Sequence, residues 1–180
     1  SEEYTVPVML RMTTRVCHSK SLVAEGTRQE IKAKPYVKER DKMDAVPAVS
    51  KVRRYFVEER EQKLKAYSEI CPFNVEEMHD TKIGIIAAGA AYTYAKEALG
   101  DSASYLKLGF TYPMPIEKIK AFAAKVDTLY VVEELDPFME EIIHEAGIPC
   151  HGKDVIPKID ELNPNIVSAG ILKKKAEGVQ

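Results

Sequence analysis

The sequence predicts an α/β fold, a three-layer αβα arrangement with a mainly parallel sheet, together with an N-terminal strand and a linker helix. In the second half of the chain, short apolar segments alternate with amphipathic segments of about ten residues, which is the pattern of a parallel sheet with crossover helices. The short segments are almost continuously apolar, as in strands buried on both faces. Right-handed crossovers then place helices on the two faces of the sheet.

The first half of the chain predicts one strand and one long helix. Residues 6–13, VPVMLRMT, begin apolar and turn polar, which predicts a strand leaving a sheet, with RVCHSKS as its exit loop. Residues 25–46 are rich in basic side chains and contain Pro35, which predicts a solvated excursion. The segment from Pro47 to Ile70 predicts an amphipathic helix that Pro72 stops. Its apolar positions recur at near-helical spacing: Val49, Val52, Phe56, Leu64 and Tyr67.

Two strand and helix pairs follow. KIGIIAAG at residues 82–89 predicts a strand, and AAYTYAKEALG predicts a helix that ends at Gly100. SYLKLGF at residues 104–110 predicts the second strand. Pro115 then stands at the expected first helical position, and Ile116, Ile119, Phe122 or Ala123, and Val126 form the inward stripe.

The third predicted strand is TLYVV at residues 128–132. Asp136 is predicted to cap the next helix, with Pro137 at its first position and Gly147 beyond its end. IPCHG at residues 148–152 predicts a fourth short strand.

A C-terminal helix is predicted to open at Asn163 and Pro164 and to run through Leu172. The three lysines that follow, Lys173, Lys174 and Lys175, suit the negative end of its dipole.

Composition argues against nucleic-acid binding and membrane association. The formal net charge of −2 gives no global attraction to nucleic acid or to an anionic membrane. No apolar run approaches the roughly 20 residues of a membrane helix, and the first residues lack the features of a signal peptide. The sequence therefore predicts a cytoplasmic protein that binds neither nucleic acid nor membrane. Because the chain does not begin with methionine, we expect a fragment or a processed product.

The cysteines do not predict a metal site. Cys17, Cys71 and Cys150 are far apart and include no C-x-x-C pair, whereas an iron-sulfur cluster needs four thiolates. Cys17 and Cys150 are each followed by histidine, but adjacent residues of a strand point to opposite faces, which disfavours chelation.

Candidate site residues lie where the predicted strands end, because ligands of open parallel sheets bind at the carboxyl ends of the strands. These positions are Ala88 and Gly89, residues 109–112, and Glu133 with Glu134. No Gly-rich phosphate-binding motif of the G-x-G-x-x-G or G-x-x-x-x-G-K-[ST] type is present. Glu133 stands where a catalytic carboxylate would, although a charged strand exit is the more common explanation. Gly89 is equally explained by a close turn.

His18 follows the predicted N-terminal strand and is flanked by Arg15 and Lys20, which suit an anionic substrate or cofactor. An ordinary surface histidine is the alternative. The candidate residues near substrate or cofactor are therefore Arg15, His18, Gly89 and Glu133.

Five segments together resemble the alpha subunits of indolepyruvate ferredoxin oxidoreductases, within the 2-oxoacid:ferredoxin oxidoreductase family. They are PVMLRMTTRVCHSKS, VEER at 57–60, GIIAAGAAYTYAKEAL, LKLGFTYPMP and YVVEELDPFMEE. The resemblance implies a thiamine-diphosphate enzyme that oxidatively decarboxylates indolepyruvate or another arylpyruvate. It also implies [4Fe-4S] clusters that pass electrons to ferredoxin, and coenzyme A as the acyl acceptor.

The resemblance also implies a division of the chain. Residues 1–24 would be the terminal strand and exit loop of a pyrimidine-binding domain, residues 25–80 a linker with the amphipathic helix, and residues 81–180 a domain similar to the transketolase C-terminal domain. The segment from Thr13 to Ser21 would lie near the active-site side, which places Arg15 and His18 near substrate or cofactor.

An internal fragment of such a subunit is expected to hold no cofactor and to be inactive by itself. Thiamine diphosphate with magnesium, and the iron-sulfur clusters, are implied for the full-length enzyme. The implied partners are the remaining domains of the same subunit, a smaller second subunit, ferredoxin and coenzyme A. Uncovered apolar surface would lead the isolated fragment to self-associate.

Two other classes of function stay open at this point. One is a free-standing α/β ligand-binding or regulatory domain, and the other is a structural interaction module without catalysis. The length of the parent reading frame distinguishes both from the enzyme.

Overall fold

The computed structural model describes residues 1–44 and 46–173. The chain divides into two compact units, residues 1–62 and residues 63–180. Among the described residues, no helix is long and apolar enough to cross a membrane.

The first unit contains two short helices, α1 (Thr14–His18) and α2 (Arg40–Met43), and most of α3 (Pro47–Ile70). The predicted strand at residues 6–13 is wrong: this segment forms no strand, and Val8, Met9 and Leu10 are at least two-thirds exposed. A strand needs a neighbouring backbone to satisfy its N–H and C=O groups, and no described strand pairs with this segment. Its supposed exit loop instead contains α1, capped by the Thr13 hydroxyl, which accepts the N–H of Val16.

The long helix is confirmed with its predicted bounds, Pro47–Ile70. Its C-terminal residues belong to the second unit, where Ser68 is buried. Tyr67 packs edge-on against Phe110, with 5.5 Å between the ring centroids.

The second unit is built on a four-stranded sheet in the order β1-β3-β2-β4. Its strands are β1 (Asn74–Glu77), β2 (Ile83–Ala88), β3 (Ser104–Leu108) and β4 (Thr128–Val132). β2 pairs in parallel with β3 and with β4, and β1 pairs antiparallel with β3. The mainly parallel sheet and its three central strands are confirmed.

Two features of the sheet differ from the prediction. β1 was not predicted, because its sequence NVEE has a single large apolar residue and is held at the edge by pairing with β3. The fourth predicted strand, residues 148–152, is wrong as a strand: it is reduced to one parallel bridge between His151 and Tyr130. Ile148 and Gly152 are nevertheless buried. The apolar pattern therefore predicted the burial of this segment correctly and its strand pairing incorrectly.

Helices cover both faces of the sheet, which confirms the three layers. They are α4 (Gly89–Leu99), α5 (Ile116–Ala123), α6 (Phe138–Glu145) and α7 (Pro164–Leu172), with a 3₁₀ turn at Gly100–Ser102. Successive strand residues point to opposite faces, so Ile85 joins the core cluster under α4 and α7, whereas Ile86 joins the cluster under α5 and α6. The C-terminal helix is capped by Asn163 as predicted, Lys173 follows in left-handed conformation, and Lys174 and Lys175 lie outside the described residues.

Candidate functional site

The carboxyl ends of the three parallel strands meet at one edge of the sheet, which we call the carboxyl edge. In the strand register Ala87 lies opposite Lys107 of β3 and Val132 of β4, so the residues that follow these three emerge side by side. The chain passes from β2 to β3 on one side and then crosses to β4 on the other. Such a reversal between neighbouring strands is where open α/β sheets form their ligand crevices.

Gly89 begins α4 directly after β2. Its φ of +54° lies in the left-handed region, which residues with a Cβ disfavour, and an added Cβ would meet no atom within 4 Å. Backbone conformation, and not lack of space, therefore explains this glycine. No side chain caps the N-terminus of α4.

Glu133, directly after β4, is only 8% exposed. Its carboxylate accepts the backbone N–H groups of Met139 at 2.9 Å and Glu140 at 3.0 Å, so it caps the first turn of α6. Burial raises the pKa of this carboxyl group, and the two backbone hydrogen bonds and nearby Lys153 oppose that rise. Glu133 is thus a buried group that organises the end of β4.

Asp136 is not the cap that its position predicted. Pro137 occupies the cap position of α6, and the Asp136 carboxylate instead pairs with the Lys158 ammonium at 2.8 Å. The hydrogen bond from Lys158 lowers the pKa of Asp136. Glu133 caps α6 instead, because the end of β4 points its carboxylate at the N-terminus of the helix. The spacing of residues in the sequence does not reveal this orientation.

Lys153 also contacts Glu133 and Glu140. The sequence did not predict it as a site residue. Its ammonium donates to the backbone carbonyl of Glu133, and its backbone N–H donates to the Glu140 carboxylate at 2.9 Å. Burial lowers the pKa of Lys153, whereas the surrounding carboxylates favour its charged form. Between Glu133 and α6, Leu135 adopts a left-handed φ of +59°.

A second buried polar residue, Asn74, organises the end of β3. Its side-chain oxygen accepts the N–H groups of Gly109 at 3.0 Å and Phe110 at 2.9 Å, and its side-chain nitrogen donates to the carbonyl of Ser68 at 3.1 Å. One amide therefore ties β3 and β1 to the end of α3. This residue was also missed, because it lies in the unpredicted edge strand.

The neighbouring helix α5 is capped across the fold in the same way as α6. Both Glu69 carboxylate oxygens accept backbone N–H groups at its N-terminus, from Glu117 at 3.0 Å and Lys118 at 2.8 Å. The Lys118 ammonium in turn donates to the carbonyl of Asn74 at 2.7 Å. The end of α3, the edge strand and α5 are thereby joined.

The four candidate residues fall into two pairs. Gly89 and Glu133 follow neighbouring strands of the second unit, so the fold places their positions at the carboxyl edge of the sheet. Arg15 and His18 lie together in α1, in the first unit.

Within residues 1–44 and 46–173, no group of three or more His, Cys, Asp or Glu side chains is placed to bind a metal ion. Cys17 is exposed, Cys71 is buried, and burial raises the pKa of the Cys150 thiol to about 11. The three cysteines do not fit an iron-sulfur cluster.

Comparison with known proteins identifies relatives of one kind, although no protein-family model matches the chain. The indolepyruvate oxidoreductase subunit IorA of Methanothermobacter marburgensis is 34% identical over an alignment that covers 100% of this chain and 32% of that subunit. The IorA of Pyrococcus horikoshii is 34% identical over 90% of this chain and 28% of its own length. The IorA of Archaeoglobus fulgidus is 30% identical over 96% and 29%.

A solved structure supports the fold. The chain matches a 2-oxoglutarate:ferredoxin oxidoreductase from Magnetococcus marinus with a TM-score of 0.52 and 14% identity, covering 72% of this chain and 24% of that one. The resemblance predicted from the five sequence segments is confirmed. The chain spans about a third of the length of the curated relatives that it matches.

Proposed function

We propose that this chain, a relative of about one third of an IorA-type subunit, works as part of an indolepyruvate or arylpyruvate:ferredoxin oxidoreductase. The proposed reaction is the oxidative decarboxylation of a 2-oxoacid to its acyl-coenzyme A thioester, with electrons passed to ferredoxin. One observation carries the proposal: IorA subunits of six archaea match 90% or more of this chain at 30–34% identity.

In this proposal the chain supplies scaffold and site walls, and the cofactors belong to the complete enzyme. Thiamine diphosphate with magnesium would provide the carbanion stabilisation that decarboxylation requires, and [4Fe-4S] clusters would carry the electrons. We place Arg15 and His18 near substrate or cofactor as cationic or hydrogen-bonding groups. Gly89 and Glu133 are proposed to border the crevice between β2 and β4, and Glu133 acts there by fixing the start of α6.

The proposed partners follow from the same family. They are the remaining domains of the same subunit, a smaller second subunit, ferredoxin and coenzyme A, in the cytoplasm. The division into residues 1–24, 25–80 and 81–180 is likewise part of the proposal, without the strand at residues 6–13, which does not form within this chain. The isolated chain is expected to be inactive and to self-associate, because several large apolar side chains are exposed.

The test is to purify, from the source organism, the complex that contains this sequence and to measure coenzyme A-dependent reduction of ferredoxin. We expect indolepyruvate to support reduction and the isolated chain to support none. Replacing indolepyruvate with 2-oxoglutarate is the control for substrate class. A native complex that contains this chain but oxidises no 2-oxoacid would contradict the proposal and favour a free-standing ligand-binding or regulatory domain.

A further inference from the structure

The exposed large apolar side chains of the second unit are concentrated at one end of the sheet. Of the eight exposed large apolar side chains in the described part of the second unit, five lie at or beside the carboxyl edge and are between 49% and 78% exposed; Val75, Met78 and Ile159 are the other three. We call this set the carboxyl-edge surface: Ile70, Phe73, Tyr112, Leu135 and Phe138. Ile70 and Phe73 belong to it because β1 starts opposite Leu108, the last residue of β3.

The opposite edge of the sheet differs in character. Its loops, residues 78–82, 100–102 and 124–127, are dominated by charged and small residues. Of the large exposed hydrophobic residues in the described part of the second unit, only Met78 lies there, at 39% exposure. Scattered exposed hydrophobic residues are normal, but a concentration at one edge marks an interaction surface.

Hydrogen bonds from buried side chains fix the loops that carry this surface. Asn74 binds the N–H groups of Gly109 and Phe110, which lead to Tyr112. Glu133 binds the first turn of α6, where Phe138 lies, and the Lys153 ammonium binds the carbonyl of Glu133. The apolar side chains are therefore presented in fixed positions, which lowers the entropic cost of binding a partner.

Leu135 is the most informative member. It occupies a left-handed backbone conformation that favours glycine or asparagine, and yet it is a leucine that belongs to neither core cluster and is 54% exposed. A strained backbone that presents an uncovered apolar side chain gains nothing from the core of its own unit. Such outliers persist where a contact or a function requires them.

We propose that the carboxyl-edge surface binds another folded part of an IorA-type subunit, one that presents an apolar pocket to Leu135. This inference rests on the proposed function. The occupant follows from length, since the chain spans only 28–32% of its IorA relatives, and the remaining part of such a subunit needs a surface to pack against. Glu134 beside Leu135 favours a basic side chain at the rim of that pocket, whereas the carboxylate of Asp136 on the other side is already paired with Lys158.

Site-specific photo-crosslinking tests the contact in the assembled protein. The crosslinking residue p-benzoylphenylalanine replaces Leu135, or Lys82 at the opposite edge as the matched control, in the source organism, and crosslinked peptides are identified by mass spectrometry. We expect position 135 to crosslink to IorA-type sequence outside these 180 residues, and position 82 to give no such product. Crosslinks only to a second copy of residues 1–180, only to an unrelated protein, or none at all would overturn the inference.

Leu135→Asn separates folding from binding. Asparagine tolerates the left-handed conformation, so the melting temperature of the isolated chain is expected to stay the same or rise. Association of the separately expressed 180-residue chain with the separately expressed remainder of the IorA-type subunit, measured by sedimentation, is expected to weaken about tenfold or more, as for the loss of a central interface residue. Met78→Asn is the control and should leave association unchanged. Unaltered association of Leu135→Asn would overturn the inference.

The two proposals fail in different ways. If the chain associates with no IorA-type polypeptide and its complex oxidises no 2-oxoacid, the proposed function is wrong. If the active complex forms but neither the crosslink nor the effect of Leu135→Asn is found, only the assignment of the carboxyl-edge surface is wrong.

Discussion

Two buried polar residues fix the backbone at the carboxyl edge of this sheet. Asn74 and Glu133 are 3% and 8% exposed, and each accepts two backbone N–H groups from the segment that follows a parallel strand. A buried polar group that loses its partners costs far more than the hydrogen bond itself contributes. These two residues are therefore expected to be sensitive to substitution in spite of lying outside the apolar core clusters.

Asn74→Ala is expected to lower the free energy of unfolding by about 3 kcal/mol, because it leaves the N–H groups of Gly109 and Phe110 and the carbonyl of Ser68 without their partner. Urea denaturation measures the effect. Asn163→Ala is the matched control, since it removes only the cap of α7 and should cost about 1 kcal/mol. Equal losses for the two variants would contradict the role assigned to Asn74.

Glu133 is expected to make stability depend on pH. Burial raises the pKa of its carboxyl group in the folded state above the unfolded value, so the folded chain binds this proton more tightly. The contribution of Glu133 to the free energy of unfolding is then full below the unfolded pKa and falls as pH rises through the folded pKa. Glu133→Gln should flatten this part of the curve, measured by chemical denaturation at a series of pH values.

Glu133→Ala is the companion variant. It removes the acceptor for the N–H groups of Met139 and Glu140 and is expected to cost about 1 to 3 kcal/mol at every pH. Glu133→Gln keeps an acceptor and should cost less. A pH profile of Glu133→Gln that overlays the parent profile would show that another group carries the dependence.

At the level of elements, helices α5 and α6 are both capped by a glutamate that lies outside the helix. Each begins just after a proline at the cap position and has no cap from that residue, and each receives a carboxylate from a preceding element of the fold. Glu69 at the end of α3 caps α5, and Glu133 after β4 caps α6. A carboxylate at a helix N-terminus also complements the helix dipole, so these contacts fix where both helices begin.

Helix α7 provides a test of close packing between elements. A Cβ added at Gly170 would lie 2.3 Å from the backbone carbonyl oxygen of Val155, which cannot move as a side chain can. Gly170→Ala is therefore expected to destabilise the protein by about 1 to 3 kcal/mol, although alanine is the better helix former. Asn165→Ala, at an exposed position of the same helix, should change stability by less than about 0.5 kcal/mol. A stabilising effect of Gly170→Ala in thermal denaturation would contradict this packing.

The elements also explain which predictions succeeded. α3, α4 and α7 are bounded by Pro, Gly or Asn, and these residues predicted their bounds closely. β1 escaped prediction because an edge strand with two glutamates carries little apolar signal. Residues 6–13 carried a strong strand signal but have no pairing strand among the described residues.

For the whole molecule, the second unit contains both core clusters, which run from Ile85 to Ile171 in one case and from Ile86 to Ile148 in the other. A domain with its own core can fold independently. A shortened protein of residues 63–180 is therefore expected to unfold in one cooperative transition, with fluorescence and circular dichroism giving coincident curves. A broad or non-coincident transition would contradict independent folding.

The sequence alone determined the fold class, the three parallel strands, the long helix and the resemblance to indolepyruvate oxidoreductase subunits. These features depend on local sequence patterns, namely apolar periodicity and segments of contiguous residues. Only the tertiary structure decided that Asn74, Glu69 and Lys153 hold the carboxyl edge, and that Glu133, and not Asp136, caps α6. The physical reason is that hydrogen bonds to helix starts and strand ends depend on how the fold orients donors and acceptors in space, whether they are 48 residues apart, as for Glu69, or six, as for Glu133. Linear spacing does not record that geometry.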